Sequence, residues 1–328
     1  MVSTKKISEI DAKILRDLLK DGRKNFTDIA KECGVSKSTI WKHYKEMKKA
    51  GIIIGATIQM DYKSFGYNAV ASLLVNVESQ QVDQVIEHIQ RVPNIHAAYR
   101  VNARYNVRVV ATLKSLDELD RVKEAIRRQK SIVDLRTYIW TDVKNIPENL
   151  AIGPFQKATN KIDETESLAT TGIQKTANKI DEIDMQIVEK LATNGRASFR
   201  KIAEEIGTST GTVIKRYQKL KGNGIIKVCI QIDPAKIGYH AILDFSIAFI
   251  QNNSSAMAEN LAKIPDIVFV IKTSGDYDIY MTALVRDIKQ LLAIHDEIAK
   301  IPGVTRLETD IGRTFGVWPT PRQYISTY

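Results

Sequence analysis

The sequence has few of the residues that metal and redox sites need. It contains two cysteines and five histidines among 328 residues. Cys33 and Cys229 fall at different positions of the internal repeat described below, so they form no metal-spaced cluster. The histidines are scattered, and no two have the spacing that a zinc or haem site on one element favours. We therefore expect both cysteines to be buried apolar residues, and we expect no metal and no cofactor.

Long apolar runs are absent as well. No stretch approaches the roughly 20 apolar residues that cross a bilayer, and residues 1–11 lack the apolar core of a signal peptide. This pattern predicts a cytoplasmic protein with no membrane partner. Acids are the scarcer charges, since 38 Asp and Glu stand against 48 Lys and Arg, a formal net charge of +10. The excess favours polyanionic partners, although ribosomal proteins and many enzymes are equally basic.

A long internal repeat is present. Residues 7–11, Ile-Ser-Glu-Ile-Asp, recur at 180–184 as Ile-Asp-Glu-Ile-Asp, an offset of 173. Further matches at this offset are Gly22-Arg23 with Gly195-Arg196, Phe26 with Phe199, Gly34 with Gly207, Ser36 with Ser209 and Gly51 with Gly224. One residue is then missing from the second copy, and at an offset of 172 the matches include Asp61 with Asp233 and Tyr105 with Tyr277. The period is too long for a solenoid, so it predicts two duplicated modules, copy 1 and copy 2.

Each copy begins with a three-helix pattern. In copy 1 an apolar residue at every fourth position predicts a helix over 9–20, and a short helix over 27–33 follows. Gly34 breaks the second helix, and Ser36 is a favourable N-cap for a third helix that runs to residue 49. In copy 2 the helices are predicted over 182–193, 199–206 and 209–221. The inward residues of the third helices are Ile40, Tyr44 and Met47 in copy 1, and Val213, Tyr217 and Leu220 in copy 2. A tight glycine turn between two such helices lets the last one enter a DNA major groove.

The outward faces of the third helices are strongly basic. Residues 36–50 carry five lysines against one glutamate, and residues 209–223 carry three lysines and one arginine against no acid. The candidate DNA-binding residues are Ser36, Lys37, Ser38, Thr39, Trp41, Lys42, His43 and Lys45 in copy 1, and Ser209, Thr210, Thr212, Lys215, Arg216 and Lys219 in copy 2. A merely solvated basic helix is the alternative, and the recurrence of glycine, serine and charge in both copies disfavours it. For Trp41, contact with a sugar and support of helix packing both stay open.

The second part of each copy alternates strands and helices. A linking strand is predicted over 52–59 and over 225–232. In copy 1 the strands are predicted over 69–77, 95–101, 107–113 and 132–139, with helices over 82–90 and 116–128. In copy 2 the strands are predicted over 241–250, 267–273, 277–285 and 304–314, with helices over 255–262 and 288–300. The fold class is therefore α+β, a tandem duplication of a winged-type helix-turn-helix domain plus a ferredoxin-like αβ sandwich, β-α-β-β-α-β.

These patterns divide the chain into six segments. They are a helix-turn-helix domain at 1–62, a ferredoxin-like effector and assembly domain at 63–142, a linker at 143–179, a second helix-turn-helix domain at 180–234, a second ferredoxin-like domain at 235–317, and a tail at 318–328. The linker is rich in Asn, Thr, Lys and Gln and contains an echo at an offset of 18, which a local duplication explains better than a coiled segment. The aromatic, proline-broken tail is typical of a strap over a sheet or of a dimer contact.

Three motifs together resemble a known family. The string Gly-x-Ser-x-x-Thr-[Ile/Val] occurs at 34–40 and 207–213, Gly-Ile-Ile follows in both copies, and residues 274–278 read Ser-Gly-Asp-Tyr-Asp. With these motifs the chain resembles the feast/famine or Lrp/AsnC regulators over nearly all of both copies. The resemblance implies a regulator whose C-terminal halves pair sheet to sheet and bind small molecules, commonly amino acids, near the glycine-aspartate turn. Members usually carry one module, so the duplication is a departure.

The copies also depart from each other. The basic residue in the middle of the family's recognition helix corresponds to Arg216 in copy 2 but to His43 in copy 1, so we expect the two readers to prefer different sequences. In the turn, Ala103-Arg104-Tyr105-Asn106 of copy 1 replaces the copy 2 residues. The candidate effector-binding residues are Gly275, Asp276, Tyr277 and Asp278, whose carboxylates could pair with an ammonium group. A tight turn capped by its own aspartates is the structural alternative, and it stays open.

The sequence therefore predicts a sequence-specific DNA-binding transcriptional regulator with double-stranded DNA as partner and an amino-acid-like molecule as candidate effector. We expect the two sandwich halves of one chain to form a pseudo-dimer that presents two readers to half-sites about one helical turn or a multiple apart, and we expect further homo-oligomerisation. One alternative is an enzyme like the siroheme decarboxylases that resemble this family, for which His96, Arg100 and Arg104 are candidates. The other is a ligand-sensing module without DNA contact, against which the basic helices argue.

Overall fold

The computed structural model describes residues 6–101, 103, 105–152, 180–250, 254–314, 316–320 and 323–324. The helices are α1 (Glu9–Lys20), α2 (Phe26–Cys33), α3 (Lys37–Lys49), α4 (Val82–Gln90), α5 (Leu116–Arg127), α6 (Glu182–Thr193), α7 (Phe199–Ile206), α8 (Thr210–Gly222), α9 (Ser254–Leu261) and α10 (Ile288–Ala299). The strands are β1 (Ile53–Met60), β2 (Ala69–Val77), β3 (Ile95–Arg100), β4 (Val107–Leu113), β5 (Ile132–Asn145), β6 (Ile226–Ile232), β7 (Ala241–Phe249), β8 (Ile267–Ser274), β9 (Ile279–Val285), β10 (Val304–Arg313) and β11 (Gln323–Tyr324). Unit 1 comprises Met1–Ser64, Asn145–Tyr239 and Phe315–Tyr328, and unit 2 comprises Phe65–Lys144 and His240–Thr314.

Strand β5 is the main departure from the predicted elements. Its end is predicted at residue 139, but it extends to Asn145, because Val143 and Asn145 are buried and their neighbours are less so, which is the period of a strand in spite of the polar composition. The predicted linker at 143–179 therefore begins too early. Residues 146–152 also belong to unit 1, where Arg16 donates to the carbonyl of Ile152 at 3.1 Å. The remainder of that predicted linker, with its echo, lies outside the described residues.

The two three-helix units in unit 1 have the predicted caps. The side-chain oxygens of Ser36 and Ser209 accept hydrogen bonds from backbone amides three residues later, at 3.1 and 3.0 Å. Gly34 and Gly207 end α2 and α7 with φ of 65° and 70°, a conformation that glycine adopts without steric cost. The inward residues are all buried, as predicted: Ile40, Tyr44, Met47, Val213, Tyr217 and Leu220.

Strands β1 and β6 join the two three-helix units as an antiparallel pair. Thr57 lies opposite Cys229, its own counterpart in the repeat, so a local pseudo-twofold axis passes between them. The register shifts between Ile53 and Gly55, and Ile54 is the extra residue of a β-bulge. The bulge lies where the repeat offset changes from 173 to 172, so it accounts for the one-residue difference between the copies.

Each three-helix unit docks the turn after its first helix onto the linking strand of the other copy. The amide of Gly22, after α1, donates to the carbonyl of Val228 at 2.7 Å, and the amide of Gly195, after α6, donates to the carbonyl of Ala56 at 2.7 Å. A Cβ atom on Gly22 would lie 2.8 Å from the opposite backbone, and one on Gly195 would lie 2.7 Å from it. The approach therefore requires glycine at both turns.

The arginine after each glycine completes the docking. Arg23 donates to two backbone carbonyls of the loop after α6, at 2.8 and 2.6 Å, and its guanidinium lies 4.2 Å from the ring centroid of Phe199. Arg196 donates to a carbonyl of the loop after α1, and its guanidinium lies 4.9 Å from the ring centroid of Phe26. We call these two glycine-arginine pairs the reciprocal lock.

The C-terminal tail also belongs to unit 1. Trp318 is buried and exchanges two backbone hydrogen bonds with Ile232, at 2.7 and 2.8 Å. Strand β11 pairs in parallel with the end of β1. The tail lies along the paired strands as a strap, in agreement with the prediction.

Unit 2 contains the two β-α-β-β-α-β halves. Strand order is β5-β2-β4-β3 in copy 1 and β10-β7-β9-β8 in copy 2, which is the ferredoxin-like order, and neighbouring β5 and β8 join the halves into one eight-stranded sheet. Alternate apolar residues of the strands pack under the helices of each half, for example Val107 and Val109 in copy 1 and Ile279 and Met281 in copy 2. The predicted fold class is confirmed.

The helix-free faces of the two halves pack against each other within unit 2. Strands β4 and β10 lie far apart in the sheet order, yet Arg108 of β4 forms an ion pair with Asp310 of β10. Near the β5–β8 junction, the rings of Trp140 and Phe269 meet edge to face with centroids 5.6 Å apart. The sheet therefore rolls up, and the sheet-to-sheet pairing that the resemblance implies is present between halves of one chain.

The cysteines differ from each other in burial. Cys229 is fully buried, and burial raises the pKa of its thiol to about 12. Cys33 is only partly buried, because it is the last residue of α2 beside an exposed turn, so the expectation of two buried cysteines is wrong for it. Among the described residues, no group of His, Cys, Asp and Glu side chains forms a metal site. None of the described helices combines the length and the apolar character needed to cross a membrane.

Substitution of Gly22 by alanine tests the reciprocal lock. We expect Gly22→Ala to lower the Tm of the full chain by about 5 °C, because the added methyl group forces the turn away from the opposite strand. Gly222→Ala is the control, since a Cβ there meets nothing within 4 Å and alanine favours the helix. Thermal unfolding followed by circular dichroism measures both, and equal Tm values for the two variants would contradict the lock.

Candidate nucleic-acid interface

Most of the predicted DNA-binding side chains lie on the solvent-exposed faces of α3 and α8. The exposed ones are Ser36, Lys37, Ser38, Trp41, Lys42, Lys45, Ser209, Thr210, Lys215 and Lys219. The half-buried ones are Thr39, His43, Thr212 and Arg216. In the described part of the chain, no carboxylate lies within ion-pair distance of Lys37, Lys42, Lys215 or Lys219. The positive charge of both helices is therefore available to a polyanion.

The hydroxyl groups at the two helix starts are already engaged with one another. The Ser36 Oγ lies 2.7 Å from the Ser38 Oγ and 2.9 Å from the Thr39 Oγ1. In copy 2 the Ser209 Oγ lies 2.8 Å from the Thr212 Oγ1. Since Ser36 and Ser209 also cap their helices, their first role is to hold the helix start in place, while their neighbours remain at the surface.

The basic residue in the middle of each third helix is anchored to the first helix of its own copy. His43 Nδ1 lies 2.8 Å from the Asp11 carboxylate. Arg216 forms ion pairs with Asp181 and, at 3.2 Å, with Asp184. Asp11 and Asp184 are equivalent in the repeat, and each is 1% exposed. The same position thus fixes the third helix against the first in both copies, a role that the sequence pattern does not reveal.

The Trp41 ring packs against neighbouring aromatic rings and is still partly exposed. Its ring stacks on Tyr44 with centroids 5.8 Å apart and planes at 16°, and it contacts Phe26 at 5.7 Å. The side chain is nevertheless 45% exposed, and the Lys45 Nζ lies 5.0 Å from the ring centroid. One part of Trp41 therefore supports the packing of α3, and the rest is open to a ligand.

An open groove of about 760 Å³ lies beside the start of α3. It is lined by Arg23, Lys24, Asn25, Phe26, Lys37, Ser38, Trp41 and Arg196. We call it the copy 1 groove. Four of its side chains are cationic, although Lys24 is engaged by Asp17 and Glu32 at 2.9 and 2.6 Å. At the equivalent positions copy 2 has Ala197 for Lys24, Thr210 for Lys37 and Ile214 for Trp41. The two lysines and the tryptophan of the groove are therefore specific to copy 1, whereas Phe26 and the lock arginines have counterparts in copy 2.

The predicted effector turn is a tight turn at the edge of the copy 2 half. Gly275 has φ of +152°, and a Cβ there would lie 2.7 Å from the Tyr138 ring of the facing half. The Tyr277 ring lies 4.3 Å below the Arg306 guanidinium, and burial together with a hydrogen bond to Glu308 raises the pKa of Tyr277. Glycine is thus required by the close approach of the two halves.

The two aspartates of this turn have different roles. The Asp278 carboxylate accepts a hydrogen bond from the Phe249 amide at 2.8 Å, and at the equivalent place in copy 1 the Asn106 side chain accepts one from the Val77 amide at 2.9 Å. Asp278 therefore holds neighbouring strands together. The Asp276 carboxylate accepts from Arg136 of the facing half at 2.9 Å, and its side chain is 58% exposed. Of the two, only Asp276 presents its charge at the surface.

A small cavity lies between the facing halves. The cavity there has a volume of about 10 Å³, enough for one water molecule. Its lining residues are Ser72, Arg108, Tyr138, Ser246, Thr273, Tyr277 and Tyr280. A ligand of amino-acid size does not fit in this cavity.

The residues named for the enzyme alternative lie in separate contacts. His96 Nε2 lies 2.6 Å from the Thr112 Oγ1. Arg100 forms an ion pair with Asp83 at 3.0 Å, and Arg104 lies outside the described residues.

Comparisons with known protein families match most of the chain. The winged helix-turn-helix DNA-binding model matches residues 7–54, and the AsnC-type helix-turn-helix model matches residues 180–221. The Lrp/AsnC ligand-binding domain model matches twice, at 70–145 and 247–311. The HTH-type transcriptional regulator FL11 of Pyrococcus horikoshii is 35% identical over 130 residues, which are 39% of this chain and 86% of that protein. An uncharacterized HTH-type transcriptional regulator of Pyrococcus abyssi is 24% identical over 148 residues, 45% of this chain and 99% of that protein.

Solved structures with a similar fold include one that spans both copies. The siroheme decarboxylase NirDL aligns with a TM-score of 0.61 at 14% identity, covering 98% of this chain and 94% of that one. AsnC of E. coli aligns with a TM-score of 0.37 at 27% identity, covering 40% of this chain and 91% of that one. At 14% identity, the first likeness shows a shared fold.

Substitution of two neighbouring residues of α8, Arg216 and Lys215, distinguishes a residue that anchors the helix from one that only adds surface charge. We expect Arg216→Ala to lower the Tm by about 5 °C, because the buried Asp184 loses its cation, and Lys215→Ala to leave the Tm within about 1 °C.

The stabilisation by the ion pair of Arg216 with Asp181 depends on pH, and the sign of this dependence follows from the pKa of Asp181. Hydrogen bonds from the Asp184 backbone and from Arg216 lower the pKa of Asp181, so its contribution is present above the ordinary aspartate pKa and is lost as the pH falls. The Tm difference between wild type and Arg216→Ala should therefore narrow below about pH 4. A difference that grows in acid, or equal Tm values for both variants at pH 7, would contradict the anchoring role.

Proposed function

Because the chain belongs to the Lrp/AsnC family of transcriptional regulators, we propose that its two helix-turn-helix units bind double-stranded DNA together, as one pair held by the reciprocal lock. The observation that carries the proposal is that α3 and α8 both expose lysines with no carboxylate within ion-pair distance among the described residues, while serine caps fix the starts of both helices. Such faces release counterions when they meet phosphates, and they place short polar side chains beside base edges.

The two readers contribute unequally in this proposal. The copy 1 groove offers Lys37 and the exposed part of Trp41 beside the start of α3, which suits a phosphodiester with its sugar packed on an aromatic ring. Copy 2 has Thr210 and Ile214 at these positions, so it gains less binding free energy from contacts with the DNA backbone. Copy 1 therefore supplies more of the salt-dependent affinity, and the two half-sites differ in sequence.

Salt titrations of DNA binding test this division. For a duplex selected from genomic fragments, we expect Lys37→Ala to reduce the slope of log K against log salt by about 0.9, which is one phosphate contact. Trp41→Ala should lower the affinity without changing that slope. The matched copy 2 variants Thr210→Ala and Ile214→Ala, and the exposed unit 2 variant Lys289→Ala, should leave the slope as in wild type.

The outcomes separate the division of roles from DNA binding itself. If the wild type binds DNA and Lys37→Ala has the same slope, the proposed role of the groove is wrong, but the proposal that the protein binds DNA stands. If the wild type shows no preference for any duplex at low ionic strength, the proposal of a sequence-specific DNA-binding regulator is wrong. In that case an absorbance change on addition of siroheme would support the enzyme alternative, which the fold likeness to NirDL brings into consideration.

We further propose that a small molecule with an ammonium group, such as an amino acid, binds at the rim between the halves and pairs with Asp276. The support is that the Asp276 carboxylate is exposed and its present partner, Arg136, is a surface side chain that a ligand can displace. Asp278 is engaged with the backbone and is not part of this proposal.

Calorimetric titration with the twenty amino acids tests the effector proposal. We expect Asp276→Ala to weaken binding at least about tenfold through loss of the charged hydrogen bond, and Arg136→Ala to strengthen it by freeing the carboxylate. Asp278→Asn, which introduces the copy 1 residue, is the control and should bind as wild type does. If wild type shows no heat with any amino acid, the effector proposal is wrong.

A further inference from the structure

A buried charged cluster lies between the facing halves of unit 2. Arg108 of β4 is 4% exposed and forms an ion pair with Asp310 of β10. Asp244 of β7 is 3% exposed and accepts a hydrogen bond from Thr282 at 2.8 Å. Burial alone would lower the pKa of Arg108, but interactions with the Tyr280 phenol and with the carboxylates of Asp244 and Asp310 outweigh it and raise that pKa. The Arg108 guanidinium lies 5.0 Å from the Tyr280 ring centroid, and the Tyr280 side chain hydrogen-bonds to Asp244, so the cluster brings one cation of copy 1 close to two carboxylates of copy 2.

The charged positions of this cluster are not shared by the two copies. At the offset of 172 the equivalent pairs are Arg108 and Tyr280, Ser72 and Asp244, and Tyr138 and Asp310. At these positions the copy 1 face carries a cation and no carboxylate, whereas the copy 2 face carries carboxylates and no cation.

Pairing of like halves in the same geometry would leave these charges without partners. Two copy 2 faces would place four carboxylates, two buried and two half-buried, against tyrosines, and two copy 1 faces would bury two arginines against serines and tyrosines. Removal of one partner from a buried ion pair is strongly destabilising, because the remaining charge stays desolvated. Only the pairing of copy 1 with copy 2 compensates both sides.

We propose that the cluster of Arg108, Asp244 and Asp310 acts as a pairing code, which makes a copy 1 face pair with a copy 2 face and disfavours pairing with a second copy 1 face. The partner of the copy 1 face is thus defined by two carboxylates, at the positions of Asp244 and Asp310. The code is satisfied when copy 1 pairs with copy 2 of the same molecule, and also when two molecules exchange halves so that each copy 1 pairs with the copy 2 of the other molecule. Assembly beyond that requires another surface. The code is independent of whether the protein binds DNA.

Thermal unfolding of full-length variants tests the first part of the code. We expect Arg108→Leu to lower the Tm by about 10 °C, since the buried Asp244 and the half-buried Asp310 lose the neighbouring cation. The control is Arg136→Leu, which removes an ion pair of the same type at the exposed rim of the same interface and should shift the Tm by about 2 °C or less. Addition of Asp244→Ser and Asp310→Tyr to Arg108→Leu should recover most of the loss. Equal effects of the two arginine variants, or no recovery, would overturn the code.

An exchange experiment tests the choice of partner. The cation-less variant carries Arg108→Tyr, and the carboxylate-less variant carries Asp244→Ser and Asp310→Tyr, so each replacement is the residue that the other copy has at that position. Neither variant alone has both the cation and the carboxylates. When the two variants exchange halves, copy 1 of the carboxylate-less variant, which keeps Arg108, faces copy 2 of the cation-less variant, which keeps Asp244 and Asp310. The other two halves then face each other without any of these charges. A complex of the two differently tagged variants, purified through both tags, should melt within about 3 °C of wild type, whereas each variant alone melts roughly 10 °C lower. A complex that melts no higher than either variant alone, or failure to obtain one, would overturn the proposal.

Discussion

The close approach of a backbone turn to a strand of the other copy is the constraint on which the arrangement of the two readers depends. Because Gly22 and Gly195 have no Cβ, each turn donates an amide hydrogen bond to the opposite strand, and each following arginine covers aromatic rings of the opposite three-helix unit. Those rings include Tyr44 of α3 and Tyr217 of α8. The contacts that hold unit 1 together therefore also set the positions of the two basic helices.

Local structure could be predicted because local rules determine it. Apolar spacing, serine caps and turn glycines specify the helices of both copies to within a residue or two, and β-branched alternation does the same for most strands. Contacts between the copies could not be predicted, since a repeat shows that Gly22-Arg23 and Gly195-Arg196 matter in both copies but not that each pair contacts the other copy. Likewise, the sequence predicts Arg216 as a DNA-contacting residue, while its ion pair with the buried Asp184 appears only in the structure.

The two copies share a framework and differ on the surfaces that face a partner. The caps, the turn glycines and the reciprocal lock occur twice, as a common backbone arrangement requires. The lysines and the tryptophan of the copy 1 groove, and the charged residues between the facing sheets, have different residues at the equivalent positions of the other copy. Duplication within one chain removes the need for each surface to match itself, which is the condition that a symmetric dimer imposes. Each copy is then free to specialise in its contacts with the duplex and with the other half.

The β-bulge at Ile54 extends this asymmetry from side chains to the main chain. One extra residue in β1 means that the axis relating the two three-helix units is only approximate, and no substitution of side chains can make it exact while the bulge remains. A dimer of identical subunits matches a palindrome because its symmetry and that of the operator coincide. Because the axis is only approximate in this protein, a palindrome loses part of that geometric advantage, and an operator whose two half-sites differ is the complement we expect.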